Sequence, residues 1–326
     1  MKGIVIYKEG ENYIRKLKSN LDTPTLENDE VLVETYYGGL NYADLMMCRG
    51  TYPHPKGYPL IAGLELSGKI IKCGKEVKDL SPGDNVVGFS EEAGAFTELC
   101  KLKRNAVTIL DKEILLSDAA AFFVQTTTAY HLLYTVAKIK PNQKILIHAI
   151  GGGVGLNLIQ LAKLKDAIVI GTVGTSGKEK KAYECGADLV IDRTKSNFVN
   201  EIQDKYGNRP IDVLIDSTGA GILESSFALM KNLSHVVSYG EASGKPYDNL
   251  WERLVEKSLT FTRLHIGHMD FKSDYWIDAQ KNIQKLIKNK QLKIFVEKIY
   301  NIDEFNEMYE SLDTRKISGK LLIKFK

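Results

Sequence analysis

The segment HAIGGGVGLNLIQLAK, residues 148–163, constrains the fold of this 326-residue chain more than any other stretch. It carries the spacing AxxGxxG at Ala149, Gly152 and Gly155, after an apolar run and before an amphipathic one. A glycine pattern alone is common, but between a strand and a helix it has a physical reading. Gly152 permits a tight turn, Gly153 leaves room for a pyrophosphate, and Gly155 lets helix and strand pack closely. The helix N-terminus, with the amide of Val154 among its first N–H groups, brings unpaired donors and the positive end of its dipole to an anion.

The surrounding rhythm agrees. From about residue 125 the chain reads as a helix, QTTTAYHLLYTVAKI, and then as strands alternating with helices. The strands are KILIHAI (144–150), AIVIGTV (167–173), DLVID (188–192), IDVLIDST (211–218), HVVSYG (235–240) and LTFTRLHI (259–266). Helix-length segments such as VGLNLIQLAKLK and LESSFALMKN separate them. Apolar strands alternating with helices imply a parallel sheet covered on both faces. The expected class is therefore α/β, with a doubly wound Rossmann sheet over residues 125–265. Residues 1–124 read instead as β-rich, with VLVETYYGGL, LSGKIIKCG, GDNVVGF and AFTELCKL between turn residues and one helix, YADLMMCRG, ending at Gly50. The segment 266–326 offers the helices YWIDAQKNIQKLIKNKQL and IDEFNEMYESL and the strand KLLIKF, and is expected to return to the first domain.

Bulk composition removes several classes of function. A net charge of +3, with no block of basic residues, argues against a nucleic-acid partner. No run approaches the roughly 18–20 apolar residues that cross a bilayer. The charged N-terminus MKGIVIYKEGENYIRKLK lacks an apolar signal core, so a cytoplasmic protein is expected. Cys48, Cys73, Cys100 and Cys185 lie far apart without CxxC spacing and read as reduced thiols. His54, His131, His148, His235, His265 and His268 show no ligand spacing, and His148 reads as a packed strand residue.

The cofactor is read at the end of the second strand. An NAD site places an acid about 20 residues beyond the first glycine, on the ribose hydroxyls. Here the chain reads GTVGTSGK, offering Gly174, Thr175, Ser176 and Lys178, with Arg193 past the next strand. Hydroxyls and cations suit a 2′-phosphate, which an acid would repel, so NADPH is expected.

Taken in order, GLNYADLMMCRGTYP, GLELSGKIIKCG, SPGDNVVGF, AAAFFVQTTTAY, ILIHAIGGGVGLNLIQLAK, GTVGTSGKEKKA and VSYGEASG resemble the medium-chain dehydrogenase/reductase superfamily. The resemblance is to its zinc-free, zeta-crystallin-like quinone oxidoreductases, and NYADLMM and VSYGEA also look like the vesicle amine transport protein homologues. It implies a GroES-like catalytic domain before the Rossmann domain and a site in the cleft between them. Zinc relatives carry Cys where this chain has Asn41, and His-Glu where it has Leu64-Glu65. Leu64 cannot bind a metal and Asn41 is a poor zinc ligand. The cysteine lobe that holds a structural zinc is absent too, since only Cys100 lies between Ser90 and Lys101. No metal site is expected, and Glu65 should be hydrogen-bonded to nearby backbone or a side chain.

Without a metal, the hydride acceptor must already be electron-poor, as a quinone or an enone is. By resemblance, Asn41, Tyr52 and Arg263 are the residues beside the reacting groups. Residue type alone also allows Asn41 as a helix N-cap, Tyr52 as loop packing beside Pro53 and Pro55, and Arg263 as a strand-end ion pair. Thr128 matches the threonine beside the nicotinamide; Tyr239, Gly240, Arg263 and Leu264 match positions that hold the ribose and carboxamide. Met46 stands where some relatives have a second pocket tyrosine, and Met46 and Met47 are equally readable as core. The strand LTFTRLHI is expected at the sheet edge, where it would pair with a copy of itself in a homodimer.

Overall fold

The structure, a computed structural model, describes residues 1–52, 57–244 and 247–326. His54, Pro53 and Pro55 lie outside the described residues. The chain forms two compact units, one from Met1–Val124 with Asp270–Lys326 and one from Gln125–Met269, so the second break comes after Met269 and not after residue 265.

The Gln125–Met269 unit is built on a six-stranded sheet. Its spatial order is Leu189–Asp192, Ile168–Val173, Lys144–His148, Ile211–Asp216, Met230–Ser238, Thr260–Arg263, and every pair is parallel. In chain order this is 3-2-1-4-5-6, the doubly wound order that reverses direction beside the first strand. The strands Lys144–His148 and Ile211–Asp216 flank that reversal, so the AxxGxxG turn opens at the crevice where such sheets bind ligands. Leu146, Ile170, Ile191, Leu214 and Val236 fill one face together with Phe198, Ile202 and Phe227. Truncating one of these leucines to Ala would cost about 2–5 kcal/mol, because a core this dense cannot collapse into the gap. LTFTRLHI contributes the edge strand, Thr260–Arg263, with Phe261 half-buried.

Two elements differ from the expectation. The helix expected from Gln125 begins at Leu116 and runs to Tyr130, followed by a π-helical stretch, His131–Val136. Ala119 to Phe123 are all buried, and a helix buried on every side shows no 3.6-residue alternation to read. LESSFALMKN is a helix only to Ser226; a 3-10 turn, Phe227–Leu229, then leads into a strand that already begins at Met230. Leu229 and Met230 are both fully buried, so sheet burial overrides local helix propensity.

In the other unit, Gly3–Glu9 lies between Asn12–Lys18 and Leu60–Ile61 in a three-stranded sheet. A seven-stranded sheet runs Val296–Asn301, Lys320–Lys324, Glu30–Leu40, Glu65–Cys73, Asn85–Phe89, Val107–Ile109, with Leu99–Lys103 also paired to Glu30–Leu40. The C-terminal strand is thus interior to this sheet. Leu321 faces Leu40, and Gly38 faces Leu66. These registers bring Lys320, Asn41 and Glu65 to one end of three neighbouring strands. Among the described residues, no helix is long and apolar enough to cross a membrane.

Candidate active site

At the glycine turn, Ala149 takes a left-handed φ of 53° and the helix Gly153–Lys163 starts after Gly152. A Cβ on Gly155 would lie 2.3 Å from the Ile150 carbonyl oxygen, so helix and strand touch through backbone there. The space in front of Gly153 differs from the expectation. A Cβ there would meet the Gln125 side-chain amide at 2.1–2.4 Å, so that side of Gly153 faces protein and not an open phosphate seat. Gly152 has only the Ala149 carbonyl at 3.2 Å and stays open. Asn157 donates to the Gly153 carbonyl at 2.8 Å and accepts from the Thr126 hydroxyl at 2.9 Å, which braces the helix start. Thr128 lies further along the same buried threonine run.

His148 ends the first strand and is wholly buried. Its Nε2 lies 2.7 Å from the Ser226 hydroxyl, which itself donates to the Ile222 carbonyl. Nε2 is therefore the donor, and Nδ1 accepts from the Thr172 hydroxyl at 2.8 Å. Burial pushes this imidazole down to about 4, so it is a neutral bracket between strand and helix.

The rim after the second strand collects the residues expected to select the cofactor. Arg193 N–H donates to the Val173 carbonyl, and its Nη2 would lie 2.8 Å from a Cβ on Gly174. Lys178 packs on Gly151, whose Cβ would lie 2.8 Å from that of Lys178. Thr175 and Ser176 continue the chain between them, and the Ser176 hydroxyl donates to Asp192. The Arg193 guanidinium is half-buried, and among the described residues its fully buried Nε has no hydrogen-bond partner. Desolvation draws its pKa down while the charges of Asp216 and Asp192 act the other way. A desolvated cation with an orphaned donor, beside a glycine turn, fits an anion.

The fourth and fifth strands end in a second cradle. Asp216, wholly buried, accepts from the backbone of Thr218 and Gly219 at 2.9 Å each. Gly240 passes close to Ser217, where a Cβ would meet the carbonyl oxygen at 3.1 Å. Burial pushes the neighbouring Tyr239 phenol up to about 12, against a hydrogen bond from Ser217. Leu264 N–H donates to the Ser238 carbonyl at 2.8 Å. Arg263 Nη1 donates to the Leu264 carbonyl at 3.1 Å, and its Nε pairs with Glu241 at 3.4 Å.

In the other unit, Glu65 is the hub of a buried polar cluster. Its Oε1 accepts from Asn41 Nδ2 at 2.7 Å and pairs with Lys320, and its Oε2 accepts from the Val124 N–H at 2.8 Å. Lys320 also donates to Asn41 Oδ1 at 2.7 Å. The second Asn41 amide hydrogen points to the Gly39 carbonyl at 3.3 Å. The Asn41 amide, expected to donate to a substrate, is thus committed within the protein. Asn41 also stands at the N-cap of Tyr42–Met47, where its backbone N–H donates to the Asp44 carboxyl at 2.8 Å. Burial raises Asp44 to about 7, despite that hydrogen bond and the nearby Lys320 charge. The groups facing Glu65 are an ammonium, an amide and a backbone N–H, a donor set that does not fit a metal ion. Among the described residues, no three His, Cys, Asp or Glu side chains are grouped to hold one. Tyr52 is half-buried beyond the helix, and Met47 is wholly buried while Met46 is partly exposed. The Cys48 thiol is pushed up to about 12 by burial and is a poor nucleophile.

Sequence reasoning missed Lys320, Gln125, Asn157 and Asp192. Only Lys320 left a trace, as a cation at the head of an apolar strand, and that reads as an ordinary strand end.

Comparison with known proteins bears on this arrangement. Residues 27–113 match the alcohol dehydrogenase GroES-like domain, and residues 153–279 match the family described as zinc-binding dehydrogenase. Quinone oxidoreductase 1 of Escherichia coli (strain K12) is 31% identical over 298 residues, covering 90% of this chain and 91% of that protein. A synaptic vesicle membrane protein VAT-1 homolog of Danio rerio is 26% identical over 325 residues, covering 94% of this chain and 66% of that protein. The crystal structure of Escherichia coli quinone oxidoreductase complexed with NADPH superposes with a TM-score of 0.91 at 29% identity, covering 99% of this chain and 100% of that one. The chain is an oxidoreductase of the medium-chain dehydrogenase/reductase superfamily and belongs among its quinone oxidoreductases.

Proposed function

We propose that the protein is an NADPH-dependent quinone oxidoreductase that uses no metal and works as a cytoplasmic homodimer. The cofactor would be held by the turn Gly152–Gly155, by Arg193 with Gly174, Thr175 and Lys178 at its phosphate rim, and by Thr128, Tyr239, Gly240 and Leu264. Support for this comes from the orphaned Arg193 Nε, an unmet donor on a desolvated cation. It also comes from the NADPH in the similar Escherichia coli structure. Bound there, the reduced nicotinamide supplies a hydride.

One observation carries the acceptor class. The cluster at Glu65, which in zinc relatives would belong to a Lewis acid, is here a carboxylate that accepts from the Asn41 amide and the Val124 N–H and neutralises the Lys320 ammonium. Nothing in it would pull strongly on a carbonyl oxygen, so the acceptor must be electrophilic by itself. A quinone meets this requirement because hydride and one proton from solvent convert it to an aromatic hydroquinone. Tyr52 and the unengaged N–H groups of Arg263 are the proposed donors to the acceptor oxygens. Asn41 is better assigned as a positioning residue, since its own donors are in use.

The test is a steady-state screen of quinones and enones under NADPH, with metal analysis and a chelator control on the same sample. Quinone turnover that exceeds enone turnover and survives the chelator is expected. Enone turnover without quinone turnover would replace this reading with a double-bond reductase. Tight NADPH binding with no turnover of either panel would leave a cofactor-binding protein without this activity.

A further inference from the structure

Ser176 and Asp192 carry a constraint that the cofactor reading does not absorb. Asp192 ends the third strand of the parallel sheet and its side chain is 7% exposed. Both carboxylate oxygens are saturated. Oδ1 accepts the Thr194 N–H at 3.0 Å and the Thr194 hydroxyl at 2.7 Å; Oδ2 accepts the Ser176 hydroxyl and pairs with Lys195 at 3.0 Å. The two hydroxyls hold this carboxyl well below the usual carboxylate range, so it is ionised at every working pH.

The geometry decides what Ser176 can offer a ligand. A serine hydroxyl has one proton and two lone pairs. Because its proton goes to Asp192, Ser176 presents only lone pairs, with a full negative charge directly behind them. Lone pairs accept a hydrogen bond from a ribose 2′-hydroxyl, but they repel a 2′-phosphate, which has no proton to give. The same rim carries the Arg193 guanidinium, unmet at Nε and suited to the phosphate. Two neighbouring groups therefore act in opposite senses on the cofactor's one variable position.

We infer that Asp192 is a positioning residue that blunts cofactor selectivity: by holding the Ser176 proton it keeps a site for the 2′-hydroxyl of NADH beside the Arg193 site for the 2′-phosphate of NADPH. The inference rests on the dinucleotide reading above. Lys195, which is largely exposed, offsets the Asp192 charge only in part.

The test is the ratio of NADH to NADPH dissociation constants, read by nicotinamide fluorescence without any acceptor. Asp192→Asn is nearly isosteric. Its carbonyl can keep Thr194, while its amide donates to Ser176 and frees the hydroxyl proton for a phosphate. The variant is expected to raise selectivity for NADPH about tenfold, through tighter NADPH binding at nearly constant NADH affinity. Ser176→Ala should weaken NADH several-fold and leave NADPH unchanged or tighter. A purely structural role for Asp192 would weaken both cofactors together and leave the ratio fixed. An unchanged ratio in Asp192→Asn, or a Ser176→Ala variant that loses NADPH more than NADH, overturns the inference while leaving the function intact. Wild-type protein that binds neither nucleotide overturns both. If Asp192→Asn does not fold, the Ser176→Ala arm decides alone.

Discussion

Asp44 and Lys320 lie in the same buried cluster and respond to change in different ways. Burial raises the Asp44 carboxyl from an ordinary value of 3.8 to about 7, so the folded protein holds its proton where the unfolded chain has already lost it. The sign follows by linkage. Its contribution to stability is intact below about pH 4, is lost as pH rises from there to 7, and stays lost above. The groups that face it are Asn41 on its own turn, Lys320 and Glu65 from the sheet, and Cys48 and Tyr309, which in turn feel the Arg15 charge. Asp44→Asn removes the titration and keeps an acceptor for the Asn41 N–H. Chemical denaturation should find its stability relative to wild type about 2.6 kcal/mol more favourable at pH 8 than at pH 5, since the wild type loses about 1.4 kcal/mol per pH unit between pH 5 and 7. A pH-independent difference would show that Asp44 is ionised in the folded state. Lys320 has the opposite character, because it is the counter-charge. Lys320→Met leaves Glu65 buried without it and should cost about 3–5 kcal/mol, and adding Glu65→Gln should recover most of that loss. If the double variant is no more stable than Lys320→Met, the pair is not coupled as the contacts require.

At the scale of elements, legibility followed how far each element's burial left a mark in its own residues. The strands Lys144–His148 and Ile168–Val173 are buried on both faces and bounded by turns, so their apolar runs were readable directly. The amphipathic helices Asp274–Lys288 and Phe305–Asp313 were readable from alternation. The front half of Leu116–Tyr130 was not, because Ala119–Phe123 face protein on every side. Strand Val296–Asn301 was missed for the reverse reason, since four of its six residues are exposed and leave little pattern. The site divides in the same way. The glycine turn is contiguous in sequence, so its spacing was visible. The bracket of Gln125 and Asn157 around Gly153 joins two helices, and the Glu65 cluster joins residues up to 279 positions apart. Those contacts exist only once sheet register is set, and no single segment encodes them. The hydrogen bond from Ser176 to Asp192 spans two strand ends and was hidden for that reason.

For the whole molecule, the open side of the parallel sheet bears on assembly. Among the described residues, Thr260–Arg263 pairs with Met230–Ser238 on one side only. Leu264 N–H points inward to Ser238, so by alternation the N–H groups of Phe261 and Arg263 point outward. A free edge of this kind pairs with another strand unless something blocks it, and this one carries no proline. Two copies related by a two-fold axis would pair antiparallel, and outward-pointing residues can oppose only outward-pointing ones, so the register centred on this strand sets Phe261 opposite Arg263 of the partner subunit and Thr262 opposite its own copy. That register makes the proposed homodimer sensitive to charge at the two-fold axis. Thr262→Lys would place two cations opposite each other there and Thr262→Glu two acids, whereas a mixture of the two variants would set a cation opposite an acid. Light scattering over a dilution series is expected to show a wild-type dimer at micromolar concentration, dissociation about tenfold easier in either variant alone, and recovery in their equimolar mixture. A wild-type monomer would remove the dimer. A mixture that pairs no more tightly than either variant alone would keep a dimer but move it away from this strand.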